Sequence, residues 1–372
     1  MLRRLAALAL FGGLLATPAA GAERDVLVPG VTYEKQVSLT RHGPVVVHVI
    51  TAPKPGGQYE LRPLLSNASV PELERLTLMQ RRVAGTAAIV GVSGDARLTG
   101  GFVEAGVLHT LPDRGRSLVG VDAQGNLRAE KIAVYGTWTG KGQRRPNLAL
   151  NLALTRNGFT LFTRAWGAAT PPAPGSFEVV LAPLAPSTPN AELSAPAEGG
   201  RPGGGTPIPE NGAVLVARGT GAALLAAEAP VGATVTIRLL TGAWPGIVNG
   251  IGGGPLLVSR GKPIFRVTEE FSLNELALRQ ARTAIGQRAD GRLLLVAVDG
   301  RQPGYSTGVS NAELAKTMTR LGAVTAAGLS IGETATMAFD GRLLSRPGPS
   351  GERPVADGLA VWYSGPRRPP SR

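Results

Sequence analysis

The sequence predicts an α+β fold, a single strand-rich mixed-sheet domain with helices packed against it, and three observations carry that expectation. Glycine (51) and proline (30) are abundant while aromatic residues make up 5 % of the 372, a balance that favours strands and turns over helix bundles. Short apolar runs with β-branched residues recur between turn signals, as at Pro44–Ile50, Ala87–Val92 and Leu293–Val298. Two segments instead carry apolar residues at helical spacing: Leu73, Leu76, Met79 and Val83, then Leu314, Met318 and Leu321.

At the N-terminus, Arg3 and Arg4 form a short basic region ahead of the apolar run Leu5–Leu15. That run is about 11 residues long, against the roughly 20 that a spanning helix needs. The small residues Ala20-Gly21-Ala22 suit a signal peptidase. Residues 1–22 therefore read as a Sec-type signal peptide, cleaved before Glu23, and the chain as secreted or extracytoplasmic. No later stretch reaches about 18 continuous apolar residues, so no transmembrane segment is expected after cleavage. Residues 23–365 form the domain, and 366–372 read as a disordered basic tail.

There is no cysteine, which excludes disulfides, thiolate catalysis and cysteine metal sites. Three histidines, His42, His48 and His109, do not suggest a histidine-rich metal centre. No cofactor is expected, while a divalent metal stays open. The formal net charge of +13 becomes +11 once Arg3 and Arg4 leave. The basic residues are scattered, without the aromatic-basic alternation that stacks bases, so nucleic acid is not expected as a partner. An anionic envelope polymer or a phosphodiester-linked glycan fits the charge better.

Taken in order, Pro44–Ile50 reads as a buried strand with His48 a hydrogen-bonded core residue. The spacing predicts a helix over 71–83, with Pro71 in its first turn. The next strand, Ala87–Val92, delivers Ser93-Gly94-Asp95 to its C-terminal end, where ligand sites often collect. Trp138 and Trp166 read as core or rim aromatics, core packing being favoured over a sugar platform. From 185 to 212 proline, glycine and polar residues displace the apolar pattern, which predicts an irregular connection inside the one domain. Strands follow at Ala213–Val216 and Thr234–Leu239. The run Gly252-Gly253-Gly254 exposes amides that can close around an oxyanion, although a plain glycine turn fits as well. Ser272 with Glu275 and Ser310 with Glu313 fit capping boxes, the second opening a helix over 311–321. Leu293–Val298 ends in Asp299-Gly300-Arg301, where Asp299 suits a turn or an active-site carboxylate.

Several of these segments resemble the phosphodiester glycosidase family. Leu329-Ser330-Ile331-Gly332-Glu333-Thr334-Ala335-Thr336-Met337 resembles its Leu-Asp-Gly-Gly-Gly-Ser-Thr-Thr-Met box, with Ser330 where the family has Asp and with Ile331 and Glu333 where it has Gly. Val92-Ser93-Gly94-Asp95 is similar to its Val-Asn-Gly-Asp segment, and Ile251–Pro255 to its Ile-Gly-Gly-Gly-Pro. Arg282-Thr283-Ala284-Ile285-Gly286 and the stretch through Ser306 follow suit, and the likeness runs from about Val31 to Tyr363.

The resemblance implies a phosphodiester glycosidase-like domain that hydrolyses the bond between a sugar's anomeric carbon and a phosphodiester oxygen. It further implies one pocket in which Asp95, Asp299 or Glu333 serves as acid or base. There Arg282 would pair with the phosphate, helped by Gly94, Gly253, Gly254, Ser330, Gly332, Thr334 and Thr336. Three functions stay open: an exported hydrolase of a sugar-1-phosphodiester bond in an envelope or extracellular glycan, an inactive relative that binds glycan or anionic envelope polymer, and a structural envelope protein.

Overall fold

The computed structural model describes residues 24–98, 100–112, 115–142 and 144–366. The signal peptide expected over 1–22 lies outside the described residues, as does the tail expected over 366–372 apart from Pro366. Among those described, 46 % lie in strands and 11 % in helices, so the α+β expectation is corrected to a mostly-β fold. The physical reason is length: the helical stripes are real but short. The stripe expected over 71–83 is helical only as α1, Leu76–Val83, which buries Leu76 and Met79 while Leu73 stays outside it and exposed. The other helices are α2 (Thr220–Glu228), α3 (Leu273–Ala277) and α4 (Asn311–Arg320).

The strands form three open sheets and a closed barrel. The largest sheet has eight strands in the order Arg24–Val28, Val31–Thr40, Gly43–Ala52, Leu293–Val298, Arg282–Arg288, Ala323–Ile331, Leu256–Ser259, Lys262–Pro263. Its register pairs Arg282 with Val298 on one side and Ile331 on the other, so Asp299, Arg282 and Ile331 share one end of the sheet. A five-stranded sheet places Ala88–Ser93 between Met337–Phe339 and Asp357–Tyr363. The third sheet contains Ser117–Asp122 beside Ile247–Gly253. Apolar side chains of all three, among them Ile50, Val92, Val119, Ile285 and Leu359, meet in one core. Each such burial contributes about 1.5–3 kcal/mol.

Seven strands between Tyr135 and Leu240 close the barrel as a contiguous insertion between Leu127–Lys131 and Ile247–Gly253. Trp138 fills its interior against Phe159, with ring centroids 5.2 Å apart, in keeping with a core role. The irregular connection expected over 185–212 is corrected here. Glu192–Pro202 is an 11-residue barrel strand, paired with Thr234–Leu240 and Ser176–Leu181. Its alternation is carried by Leu193, Ala195 and Ala197, which point inward. Two of the three are small, Pro196 stands among them and Gly199-Gly200 follows, so the period-2 signal is faint in the sequence.

Candidate functional site

The strand Ala88–Ser93 ends at a turn whose backbone is tied to the last strand. The Gly94 amide donates to Asp357 O (3.0 Å), the Asp95 amide to Asp357 Oδ1 (2.8 Å), and the Ala356 amide to Asp95 O (2.9 Å). Glycine is required at 94, because a Cβ there would stand 2.0 Å from Asp357 Oδ1. The turn 330–334 lies alongside. The Ser330 amide donates to Thr283 Oγ1 (2.9 Å), which itself donates to Ser93 O (2.8 Å). Two of the expected segments are thereby brought together around one cavity of about 290 Å³, lined by Asp95, Ala96, Arg97, Arg116, Phe271, Glu275, Leu329, Ser330, Ile331 and Thr334.

Arg116 organises this cavity. Its guanidinium lies 4.5 Å from the centroid of Phe271, with one nitrogen 3.7 Å from Asp95 Oδ1 and another 3.6 Å from Glu275 Oε1. Glu275 comes from α3, where it completes a capping box with Ser272. Burial pushes its proton affinity up, but hydrogen bonds to Ser272 and the charges of Arg116 and Arg282 outweigh that and hold its carboxyl below the usual range. Across the cavity the Ser330 and Thr334 hydroxyls are 2.7 Å apart. Beneath Asp95, Asp357 is fully buried. Desolvation, then the nearby charge of Asp95, raise its pKa well above the ordinary carboxylate value. Asp357 Oδ2 is buried with no hydrogen-bond partner.

The other expected site residues lie elsewhere. Arg282 is 1 % exposed; its Nε donates to Val309 O (2.8 Å) and its Nη2 to Leu278 O (3.2 Å) and to Glu275 O. Burial lowers its pKa to about 10 against the opposing pull of Glu275 and Glu313, so it remains a cation at neutral pH. It fixes the C-terminal end of α3, and through it Glu275, and does not line the cavity. Asp299 is buried too, with His48 Nε2 at 2.8 Å, Tyr305 OH donating at 3.0 Å and the Arg346 amide at 3.0 Å. Glu333 points outward to Arg353, 3.1 Å away, with both side chains about half exposed.

The glycine run does not cradle an anion either. The Gly254 amide is already taken by Gly328 O (2.9 Å), and a Cβ on Gly254 would meet Glu269 Oε2 at 2.2 Å. Gly253 packs against Val119 and the Gly328 carbonyl. These glycines let two sheets approach closely. Gly332 takes the positive φ of its turn (+84°) and donates to Ala281 O, while Thr336 is buried with its amide on Ser93 Oγ. No local pattern in the sequence marks Arg116, Phe271 or Asp357, and Glu275 is legible there only as a cap. A larger groove of about 460 Å³ on the barrel, lined by Tyr135, Leu152 and Phe159, carries no carboxylate or guanidinium among the described residues.

Residues 190–362 match the family model described as phosphodiester glycosidase. A prophage-derived uncharacterized protein of Bacillus subtilis, YomE, is 30 % identical over 118 residues, 32 % of this chain and 18 % of that protein. Two solved structures share the fold: a hypothetical protein from Synechocystis (TM-score 0.73, 23 % identity, 93 % of this chain and 64 % of that one) and a protein of Burkholderia pseudomallei named for a proposed export (0.67, 23 %, 86 % and 74 %). The zebrafish N-acetylglucosamine-1-phosphodiester alpha-N-acetylglucosaminidase catalytic domain matches at a TM-score of 0.41 and 14 % identity, over 94 % of this chain and 87 % of that one. This chain therefore spans under a fifth of the Bacillus protein and under two thirds of the Synechocystis one.

Proposed function

We propose, from the premise that residues 190–362 belong to the phosphodiester glycosidase family, that the Asp95–Arg116–Glu275 cavity hydrolyses a sugar-1-phosphodiester. The single observation that carries this reading is the bracketing of one guanidinium by two carboxylates beside the 330–334 turn. Cleavage between the anomeric carbon and its phosphate oxygen leaves a phosphomonoester, whose second ionisation lies near pH 6 by analogy with a phosphorylated side chain. Such a leaving group needs little protonation. It does gain negative charge as the bond breaks, and a fixed guanidinium is worth most there.

Arg116 is the group that holds this phosphate, with Arg97 on the same rim. Phe271 offers an apolar face, and Ser330 and Thr334 offer hydroxyls to the sugar. Water attacks the anomeric carbon, the carbon–oxygen electron pair leaves with the phosphate, and the water proton passes to Asp95. Glu275, held ionised, offsets positive charge on the sugar ring. Arg282 supports this from outside by fixing α3.

A second reading, an anion- or glycan-binding relative without turnover, is favoured by Ser330. Where the resembled box has a carboxylate, this chain has a hydroxyl engaged with Thr334. Incubating the purified protein with alkyl hexose-1-phosphodiesters separates the two. Free sugar release that disappears in Asp95→Asn supports the hydrolase, whereas saturable binding with no release supports the binder. Export to an envelope compartment, with an anionic envelope glycan as the source of substrate, is supported by the N-terminal pattern and by the name of the Burkholderia protein. No helix among the described residues is long and apolar enough to cross a membrane.

A further inference from the structure

Asp357 is the one buried carboxylate at this site that the mechanism above does not use, and three observations single it out. It is fully buried, with one oxygen 2.8 Å from the Asp95 amide and the other without any partner. The residue before it and its own backbone carbonyl grip both ends of the Gly94–Asp95 turn. Position 94 admits only glycine, because the Asp357 carboxyl fills the space where a side chain would begin. A desolvated carboxylate with an unmatched oxygen is costly, whereas the neutral acid keeps the acceptor that the Asp95 amide needs and sheds the charge.

We infer that Asp357 is a positioning residue held as a neutral acid beneath the pocket floor, fixing Asp95 in place and leaving it to carry the negative charge of the pair. This rests on the reading of Asp95 as the base. A second negative charge there would compete with Asp95 for the same proton, so the two carboxyls titrate as a coupled pair in which Asp95 ionises first and Asp357 later. Asp95 is the charged group that acts on Asp357. On the pocket side of Asp95 stand Arg116 and, beyond it, Glu275.

The test is carbon-13 NMR of the full chain labelled at aspartate carboxyls, in the wild type and in Asp357→Asn, followed from pH 3 to pH 9. The expected wild-type result is an Asp357 carbon that keeps its protonated position after the exposed aspartates have ionised, and an Asp95 curve in two steps whose later step disappears in Asp357→Asn. An Asp357 carbon that ionises together with the exposed aspartates, or identical Asp95 curves in the two proteins, overturns the inference. Turnover supplies an independent arm. Asp357→Asn, which keeps the acceptor, should stay within about 3-fold of wild-type kcat/KM, while Asp357→Ala should lose about 10-fold or more in kcat with KM little changed. Equal losses in both folded variants would contradict the positioning role. If no variant turns over substrate but the titration behaves as expected, the hydrolase reading fails and the coupled pair stands.

Discussion

Arg282 and Arg116 carry the same guanidinium into opposite surroundings. Arg282 is enclosed by backbone carbonyls, so Arg282→Ala leaves three acceptors unmatched and should destabilise the protein by roughly 3–5 kcal/mol, read from denaturant midpoints. Arg116→Ala leaves a partly open cavity and should cost little stability, but about 100-fold in kcat/KM on a sugar-1-phosphodiester. Asp357 adds a pH dependence with a definite sign. Its folded pKa lies above its unfolded one, so the folded chain holds a proton that the unfolded chain releases. Stability from this residue is complete below the unfolded value near pH 4 and declines as pH rises towards the folded one. Asp357→Asn removes that decline: its Tm should equal the wild type's near pH 4 and exceed it by about 2–5 °C at pH 8, measured by thermal melts.

Among the elements, the capping boxes were the most legible features, because Ser272–Glu275 and Ser310–Glu313 state a local geometry in four residues each. Removing the cap of α4 with Ser310→Ala should cost about 1 kcal/mol in chemical unfolding. The buried strands at 43–52, 88–93 and 293–298 were legible for the same reason, since their apolar runs are uninterrupted. The barrel strand Glu192–Pro202 was not, because its inward residues are small and a proline sits among them. The candidate site was half legible. Asp95, Ser330 and Thr334 stand at strand ends that the sequence marks, whereas Arg116, Phe271 and Asp357 reach the site through tertiary approach that no local pattern encodes. The glycine run illustrates the converse: consecutive glycines suggested an anion loop, and the fold uses them for close contact between sheets.

At the scale of the whole molecule, the barrel's core takes in Val103, Leu108, Leu118 and Ile247 of the third sheet, while the cluster that joins the three open sheets contains no residue of the barrel strands. The pocket is built on the open sheets alone, with α3 closing one side. Trp138→Ala in the barrel should therefore cost about 3–5 kcal/mol of stability while leaving substrate affinity unchanged in the protein that remains folded. In the proposed mechanism Arg116, flanked by Asp95 and Glu275, holds the leaving phosphate during glycosidic cleavage. The most direct measurement is single-turnover release of free sugar from an alkyl hexose-1-phosphodiester by wild type, Arg116→Ala and Arg282→Lys. The wild type should release sugar, Arg116→Ala should lose nearly all release with its melting temperature preserved, and any loss in Arg282→Lys should track its lower stability. Undiminished release by Arg116→Ala would contradict this mechanism.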